Sequence, residues 1–187
     1  DSGDTSSLAK HKDIFSATGS FGQGITVTPL QLARAYAAIA NKGLLPRPQL
    51  VKYLEASGGE QQEVAREKPV QVISARTADV ISAMLASVVN VGHSKASQIP
   101  GYYIAGKTGT AQIANEGKEG YREDTNHTFS GIFPLSKPRF VIVVVIEKPK
   151  IGKYAESTAL PVFRNVAEFL LQYYKIPPDR PETVVIR

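Results

Sequence analysis

The pattern of apolar and polar positions predicts a loop followed by a capped helix at the start of the chain. Residues 1–27 are polar, contain several glycines and show no sustained helical or strand period, which predicts a loop. Thr28, Pro29 and Gln31 then match the preferences of a helix start, because a threonine can cap, a proline suits the first position and a glutamine completes a capping box. Gly43 is expected to end this helix.

The following pattern predicts an exposed arm and a second helix, so that residues 28–92 are helical apart from the arm. Two extended stretches, 44–55 and 61–72, flank the turn-forming sequence Ser-Gly-Gly-Glu and predict a hairpin exposed to solvent. Ser74 is placed to cap the second helix, which the apolar period predicts over residues 75–89.

Residues 101–148 show the shorter period and the apolar runs that are typical of β-strands. The stretches 102–107, 127–134 and 139–148 are rich in aromatic and β-branched residues, and a short turn between the last two suits antiparallel pairing. The last stretch contains the uninterrupted run FVIVVVI, which predicts a strand buried on both faces. The polar residues 115–126 predict a solvated loop, with a gate beside a binding site as the less favoured hypothesis.

A terminal helix is predicted over residues 157–176, where Pro177 and Pro178 end it. The order of elements indicates an α+β fold, in which helices, including the C-terminal one, flank an antiparallel sheet. Each helix has an apolar face that we expect to be buried. These faces comprise Leu32, Tyr36 and Ile39 in the first helix, Val80, Met84, Leu85 and Val88 in the second, and Val162, Val166, Phe169, Leu170 and Tyr173 in the third.

Composition and charge exclude several classes of function. A chain of 187 residues can form one domain with a core. Its net charge of +5 comes from interspersed basic and acidic residues, so nothing favours nucleic-acid binding. The absence of cysteine excludes disulfides and thiol chemistry, and no apolar run approaches the ~20 residues of a membrane span. His11, His93 and His127 lack metal-ligand spacing and are predicted to have surface or capping roles, so neither a metal nor a cofactor is expected. His127 opens a strand predicted to neighbour residues 102–107, and a position at the border of a binding cleft is its less favoured alternative.

One motif raises the possibility of nucleotide binding. The sequence GYYIAGKT, residues 101–108, satisfies the phosphate-loop pattern G-x-x-x-x-G-K-[ST]. A phosphate loop needs an apolar strand before its first glycine and a helix after its Lys-Thr pair. The preceding HSKASQIP is polar and the following TGTAQIANEG has no helical period, so nucleotide binding is kept only as a remote alternative.

The same residues make chemical sense as a strand with an accessible edge. Gly109 would let a substrate approach the backbone closely, and the backbone N–H of Thr110 could donate to an oxyanion, a bond worth ~3 kcal/mol in a transition state. Threonine hydroxyls and the Lys107 ammonium together suit a substrate carboxylate. The competing interpretation is an ordinary glycine-containing strand.

The flanking sequence favours the catalytic interpretation. The triad K-T-G, with S-x-x-K and S-x-N, is the motif set of penicillin-binding proteins and serine β-lactamases. GYYIAGKTGTAQ resembles the third motif of that family with its strand, and FGQGITVTPLQLARAYAAIANKG resembles the preceding segment of class B penicillin-binding proteins. HTFSGIFP, KPRFVIVVVIEKP and the terminal helix resemble the closing strands and helix. The resemblance covers nearly the whole chain.

The resemblance implies a β-lactamase/transpeptidase-like fold and a D,D-transpeptidase that cross-links peptidoglycan. In this chemistry a serine attacks the D-Ala-D-Ala end of a stem peptide, and β-lactams acylate the same serine. Carried over by motif, Lys107 and Thr110 are the catalytic residues, through the charge network and the oxyanion N–H respectively. Thr108 and Thr110 would hold the substrate carboxylate, and Gly109 would keep the strand edge accessible.

The resemblance also implies a cellular setting. It predicts an extracytoplasmic enzyme, anchored in the membrane by an N-terminal segment outside these residues and concerned with cell division or cell shape. A membrane glycan polymerase and division proteins would be its partners, and the septal or sporulation type is favoured over the elongation type. A serine β-lactamase and a penicillin-sensing receptor domain share the motif and remain alternatives.

Two motifs of the family are missing or misplaced. Ser7 and Lys10 spell S-x-x-K, but their neighbourhood is charged and rich in glycine, whereas the nucleophile should begin a buried amphipathic helix. Neither S-x-N nor Y-x-N occurs in the sequence. We therefore expect residues 1–187 to be the C-terminal portion of one transpeptidase domain, without the nucleophile and inactive alone.

Overall fold

The computed structural model of the chain describes residues 3–10, 12–115 and 120–180. Within these described ranges, five α-helices and seven strands follow one another, with short 3₁₀ turns at Lys95–Ser97 and Ala155–Ser157. The helices are α1 (Ser7–Lys10), α2 (Lys12–Gly19), α3 (Pro29–Ala40), α4 (Ala75–Asn90) and α5 (Ala159–Tyr173). The strands are β1 (Leu44–Leu45), β2 (Tyr53–Glu55), β3 (Gln61–Glu63), β4 (Val70–Gln71), β5 (Ala105–Ala114), β6 (Tyr121–Phe133) and β7 (Phe140–Glu147).

The start of the chain is not the loop that its polar composition predicts. Helices α1 and α2 occupy much of residues 1–27 and contact each other. The segment is closed by two bonds between Asp4 and Thr26, in which each backbone N–H donates to the other residue, at 2.9 Å in both cases. Helices this short contain too few turns to show an apolar period, which is why the sequence pattern missed them.

The N-terminal caps of α3 and α4 agree with the sequence. The Gln31 N–H donates to Thr28 Oγ1 at 3.1 Å and the Thr28 N–H donates to Gln31 Oε1 at 2.8 Å, so the predicted capping box is present. Ser74 caps α4 by accepting from the Thr77 N–H at 3.0 Å. The chain leaves α3 through Gly43 at φ +87°, with the Gly43 N–H bonded to the Ala38 carbonyl.

The predicted arm is a hairpin whose strands pair only at its two ends. At the base β1 pairs with β4, and at the tip β2 pairs with β3, both antiparallel. Between them stand Pro46, Pro48 and Pro69, which have no N–H to donate to a ladder. The backbones bow apart there and leave an open space of about 840 Å³.

The central sheet has the order β5-β6-β7 and is antiparallel throughout. Alternate residues of β6 point to opposite faces. Phe129 and Phe133 lie on the face that α5 covers, where their rings contact Phe163 at centroid distances of 4.6 and 5.6 Å. Ile132 is fully buried on the other face, and α3 and α4 are the remaining long helices in contact with the sheet.

The predicted buried faces of α4 and α5 are largely wrong. The side chains exposed to solvent include Val80, Met84, Val162, Val166, Phe169 and Tyr173. The buried positions are instead Ala78 and Val89 in α4, and Ala159, Leu160, Phe163, Ala167 and Leu171 in α5. Both helices carry apolar residues on more than one side, and small residues on the buried side let the backbone approach the sheet.

Two strand predictions also need correction. β7 is only half-buried, because among the described residues it pairs with β6 alone and Val145 is 37% exposed. The predicted loop 115–126 is wrong over residues 121–126, which form the first part of β6 and pair with β5. Residues 116–119 of that prediction lie outside the described part of the chain.

Tyr36 in α3 gives a pH-dependent prediction. Burial raises the pKa of Tyr36 from 10.0 to about 12, because it disfavours the charged phenolate. Between these values the unfolded chain loses a proton that the folded chain keeps, so stability falls as pH rises. From pH 8 to 11 we expect the free energy of unfolding to fall by about 1.4 kcal/mol more in the wild type than in Y36F. Urea denaturation at both pH values measures the difference, and equal falls would contradict it.

Candidate active site

The residues Lys107 to Thr110 lie in the first half of β5, at the edge of the sheet. Among the described residues β5 pairs on one side only, with β6. The register places Lys107 opposite Ser130 and Thr110 opposite His127. The other side of β5 is therefore open to an extended ligand that could add as a further strand.

Two glycines allow strand β5 to lie close to strand β6. A Cβ atom at Gly106 would lie 2.7 Å from Cζ of the buried Phe129, and one at Gly109 would overlap Thr128 Oγ1. Larger residues at these positions would push β5 away from β6. The predicted role of Gly109, an unobstructed strand edge, stays a prediction, and its surroundings fit that role.

The Lys107 ammonium is exposed and turns back onto its own strand. Nζ donates to the Thr108 carbonyl at 2.9 Å and lies 3.5 Å from Thr108 Oγ1. Successive side chains of a strand alternate, so Lys107 and Gly109 belong to one face and Thr108 and Thr110 to the other. The positive charge thus remains within reach of the strand edge.

A segment that sequence reasoning missed contacts both threonines, namely Tyr154–Thr158, which we call the 154–158 turn. The Ala155 N–H donates to Thr110 Oγ1 at 3.3 Å, and the Thr108 hydroxyl donates to Glu156 Oε1 at 3.4 Å. Among the described residues no group accepts the hydroxyl hydrogen of Thr110, which can therefore donate to a ligand, whereas the hydrogen of Thr108 is directed at an internal carboxylate. No local pattern could have shown this pairing, since it joins residues 48 positions apart.

His127 does not have the surface role that was predicted for it. It is fully buried in the middle of β6, with Nε2 2.9 Å from Thr125 Oγ1 and Nδ1 2.8 Å from Thr158 Oγ1. Since Thr158 Oγ1 also donates to the Tyr154 carbonyl at 3.4 Å, it accepts from Nδ1–H of His127, and Nε2 is left to accept from the Thr125 hydroxyl. This hydrogen bond from His127 connects strand β6 to the 154–158 turn. His93 is exposed, and His11 lies outside the described residues.

Ser7 does not stand in a nucleophile's surroundings. It begins the four-residue helix α1, and its hydroxyl donates to the Gly24 carbonyl at 2.8 Å. A nucleophile of this chemistry needs a longer buried helix that brings a lysine beside it. The expectation that the S-x-x-K of residues 7–10 is coincidental fits this geometry.

The structure does not support the phosphate-loop hypothesis. After Thr108 the chain continues as strand β5 to Ala114, where a phosphate loop would begin a helix. The Gly101 carbonyl is occupied by the N–H groups of Asp179 and Arg180, so the first glycine belongs to a contact with the C-terminal segment. Within the described part of the chain, no cluster of three histidine, aspartate or glutamate side chains is arranged to hold a metal ion.

A family model described as the penicillin-binding protein transpeptidase domain matches residues 1–168. The chain belongs to this family. The predicted membership and the α+β, transpeptidase-like fold are confirmed by solved structures. Penicillin-binding protein 3 of Mycobacterium tuberculosis, complexed with ampicillin, superposes with a TM-score of 0.79 at 34% identity, over 91% of this chain and 40% of that chain.

Sequence comparison with named members of the penicillin-binding protein family supports the same assignment. Peptidoglycan D,D-transpeptidase FtsI of Escherichia coli is 37% identical over 168 residues, which make up 89% of this chain and 27% of that protein. Penicillin-binding protein PbpB of Mycobacterium tuberculosis is 35% identical over 178 residues, 89% of this chain and 26% of that protein. The chain thus spans about a quarter of the length of these relatives. None of the helices in its described residues is long and apolar enough to cross a membrane.

Proposed function

We propose that the chain is part of a peptidoglycan D,D-transpeptidase that cross-links stem peptides through a serine acyl-enzyme and is acylated by β-lactams. The observation that carries this proposal is the K-T-G-T sequence on an open strand edge, in a chain of the penicillin-binding protein family. The relative FtsI is named for this activity, and the related penicillin-binding protein 3 was solved with ampicillin.

Each residue of the edge has a role in this proposal. A stem peptide ending in D-Ala-D-Ala lies along β5 as an added strand, and the Thr110 N–H donates to the carbonyl oxygen under attack. The hydroxyl hydrogen of Thr110 binds the terminal carboxylate, and the Thr108 hydroxyl and the Lys107 ammonium bind the same carboxylate. Gly109 leaves room for the peptide backbone.

The remaining parts of the machinery lie outside residues 1–187 in this proposal. The serine nucleophile, its base lysine and the S-x-N motif belong to an earlier part of the same domain, of which this chain is the C-terminal portion. The full-length protein is extracytoplasmic and anchored in the membrane, and it works with a glycan polymerase and division proteins.

Intact mass spectrometry after incubation with benzylpenicillin tests the proposal. We expect the full-length protein to gain one drug adduct on a serine outside these residues, and the chain alone to gain none. Acylation of the chain at Ser7 would contradict the location of the nucleophile, and a full-length protein that does not react would contradict the function. Slow loss of the adduct is expected of a transpeptidase, whereas rapid loss would indicate a β-lactamase.

A further inference from the structure

The hydroxyl of Thr110 has a defined orientation, because a backbone donor is directed at its oxygen. Ala155 is fully buried, so its N–H needs a partner within the protein, and it donates to Thr110 Oγ1 at 3.3 Å. With a donor on this side of the oxygen, the hydroxyl hydrogen of Thr110 points elsewhere, and among the described residues no group accepts it. The Thr110 hydroxyl is thus oriented to donate to a ligand.

The 154–158 turn holds Ala155 in this place, and a buried histidine holds the turn. His127 is fully buried and lies directly opposite Thr110 in the pairing of β6 with β5. Residues opposite each other in an antiparallel pair project from the same face of the sheet, so the imidazole and the Thr110 hydroxyl share the face on which the turn lies. The Nδ1–H of His127 donates to Thr158 Oγ1 at 2.8 Å and so bonds the end of the turn to the sheet.

The bonds of Thr158 differ from those expected at its position in the chain. Thr158 is the N-cap residue of α5, where a threonine hydroxyl ordinarily accepts from a backbone N–H in the first turn of the helix. Among the described residues no such bond forms, and Thr158 Oγ1 is bonded to His127 and the Tyr154 carbonyl instead. Helix α5 therefore lacks the side-chain cap that Thr28 and Ser74 provide for α3 and α4. The Thr158 hydroxyl fixes the turn rather than the helix.

We propose that His127 is a positioning residue for ligand binding: through Thr158 it holds the 154–158 turn so that the Ala155 N–H orients the Thr110 hydroxyl toward the ligand carboxylate. The inference rests on the proposed function, in which Thr110 binds that carboxylate. Because His127 is fully buried, it does not touch the ligand and acts only through this series of hydrogen bonds. Its effect is therefore greatest on ligands that present a carboxylate to Thr110.

The test compares benzylpenicillin with its methyl ester, in which the carboxylate charge is absent. The measured quantity is the ratio of their second-order rate constants for acylating the full-length protein, acid over ester. We expect H127A to lower this ratio about tenfold, because the Thr110 hydroxyl is no longer oriented toward the carboxylate. T158V removes the hydroxyl that receives the histidine proton and is expected to lower the ratio similarly. H127N, whose side-chain N–H can replace Nδ1–H as a donor, is expected to retain most of the wild-type ratio.

A double-mutant cycle separates this positioning role from a general loss of stability. In the T110V background, which has no hydroxyl to orient, adding H127A is expected to leave the ratio unchanged. Both rate constants are measured on one preparation, so a loss of folded protein does not alter their ratio. H93A is the matched control, because His93 is an exposed histidine outside the candidate site, and it is expected to show the wild-type ratio.

Equal ratios in the wild type, H127A and T158V would overturn the inference while leaving the proposed function intact. An effect of H127A that persists in full in the T110V background would also overturn it, since His127 would then act independently of Thr110. If H127A does not fold, T158V decides the question, because it leaves the buried imidazole in place. A wild-type protein that neither compound acylates would overturn the proposed function itself, and with it the role of His127.

Discussion

Replacing Phe163 by alanine is expected to lower the free energy of unfolding of the chain by about 3–5 kcal/mol, because it empties the centre of the core. Phe163 is fully buried in α5 and contacts the rings of Phe129 and Phe133. The Phe163 ring also lies over Gly131, and a side chain at position 131 would overlap that ring. The substitution therefore removes aromatic contacts and leaves a cavity that rigid neighbours cannot fill.

Phe169 provides the matched control on the same helix. It is 60% exposed and its main ring contact is with the exposed Tyr173, at a centroid distance of 5.7 Å. Phe169→Ala should cost less than about 1 kcal/mol, because little apolar surface leaves water at this position on folding. Urea denaturation of both variants, with the slope m checked for each, measures the two effects. Equal losses, or a greater loss for Phe169, would mean that α5 is rotated and that the face predicted from its sequence is the buried one.

Replacing Lys107 by alanine in the full-length protein is expected to lower the rate constant for acylation by benzylpenicillin by about 10²–10³-fold. The ammonium is the only positive charge of the K-T-G-T sequence, and its bonds to Thr108 hold it at the strand edge. Without it, the ligand carboxylate loses its nearest opposite charge.

Lys137 is a suitable control for this experiment. It is an exposed lysine between β6 and β7, outside the K-T-G-T strand. Stopped-flow or gel-based acylation assays should show that Lys137→Ala reacts at the wild-type rate. If Lys107→Ala also reacts at that rate, Lys107 has no part in the reaction, and the strand edge must bind its ligand through backbone groups and threonines alone.

Local features of this fold could be predicted from the sequence, because their causes lie within a few residues. Thr28 and Gln31 are three positions apart and bond to each other, so the start of α3 followed from residue types alone. The arm and the antiparallel order of the last strands were likewise indicated by turn residues and apolar runs. The prediction that the K-T-G-T residues form the site rests on the same kind of evidence, a contiguous motif and its flanks.

Features that depend on distant parts of the chain could not be predicted. Both sides of α5 carry apolar residues, and only its position over Gly131 decides that Phe163 is buried and Phe169 is not. The environment of His127 is set by Thr158, and the partner of Thr108 is Glu156, both contributed by a turn that the sequence pattern does not distinguish. The surroundings of the candidate site are therefore a tertiary property, even though the motif is a local one.

The neighbour-to-neighbour order of the sheet has a consequence for how the chain folds. Strands β5, β6 and β7 are consecutive in sequence and each pairs with the next, so bringing them together closes only short loops and costs little chain entropy. Such local topology favours rapid formation. The strand that carries Lys107 can thus be assembled as a meander early in folding, and the aromatic contact of Phe163, which comes from later in the chain, then fixes it in place.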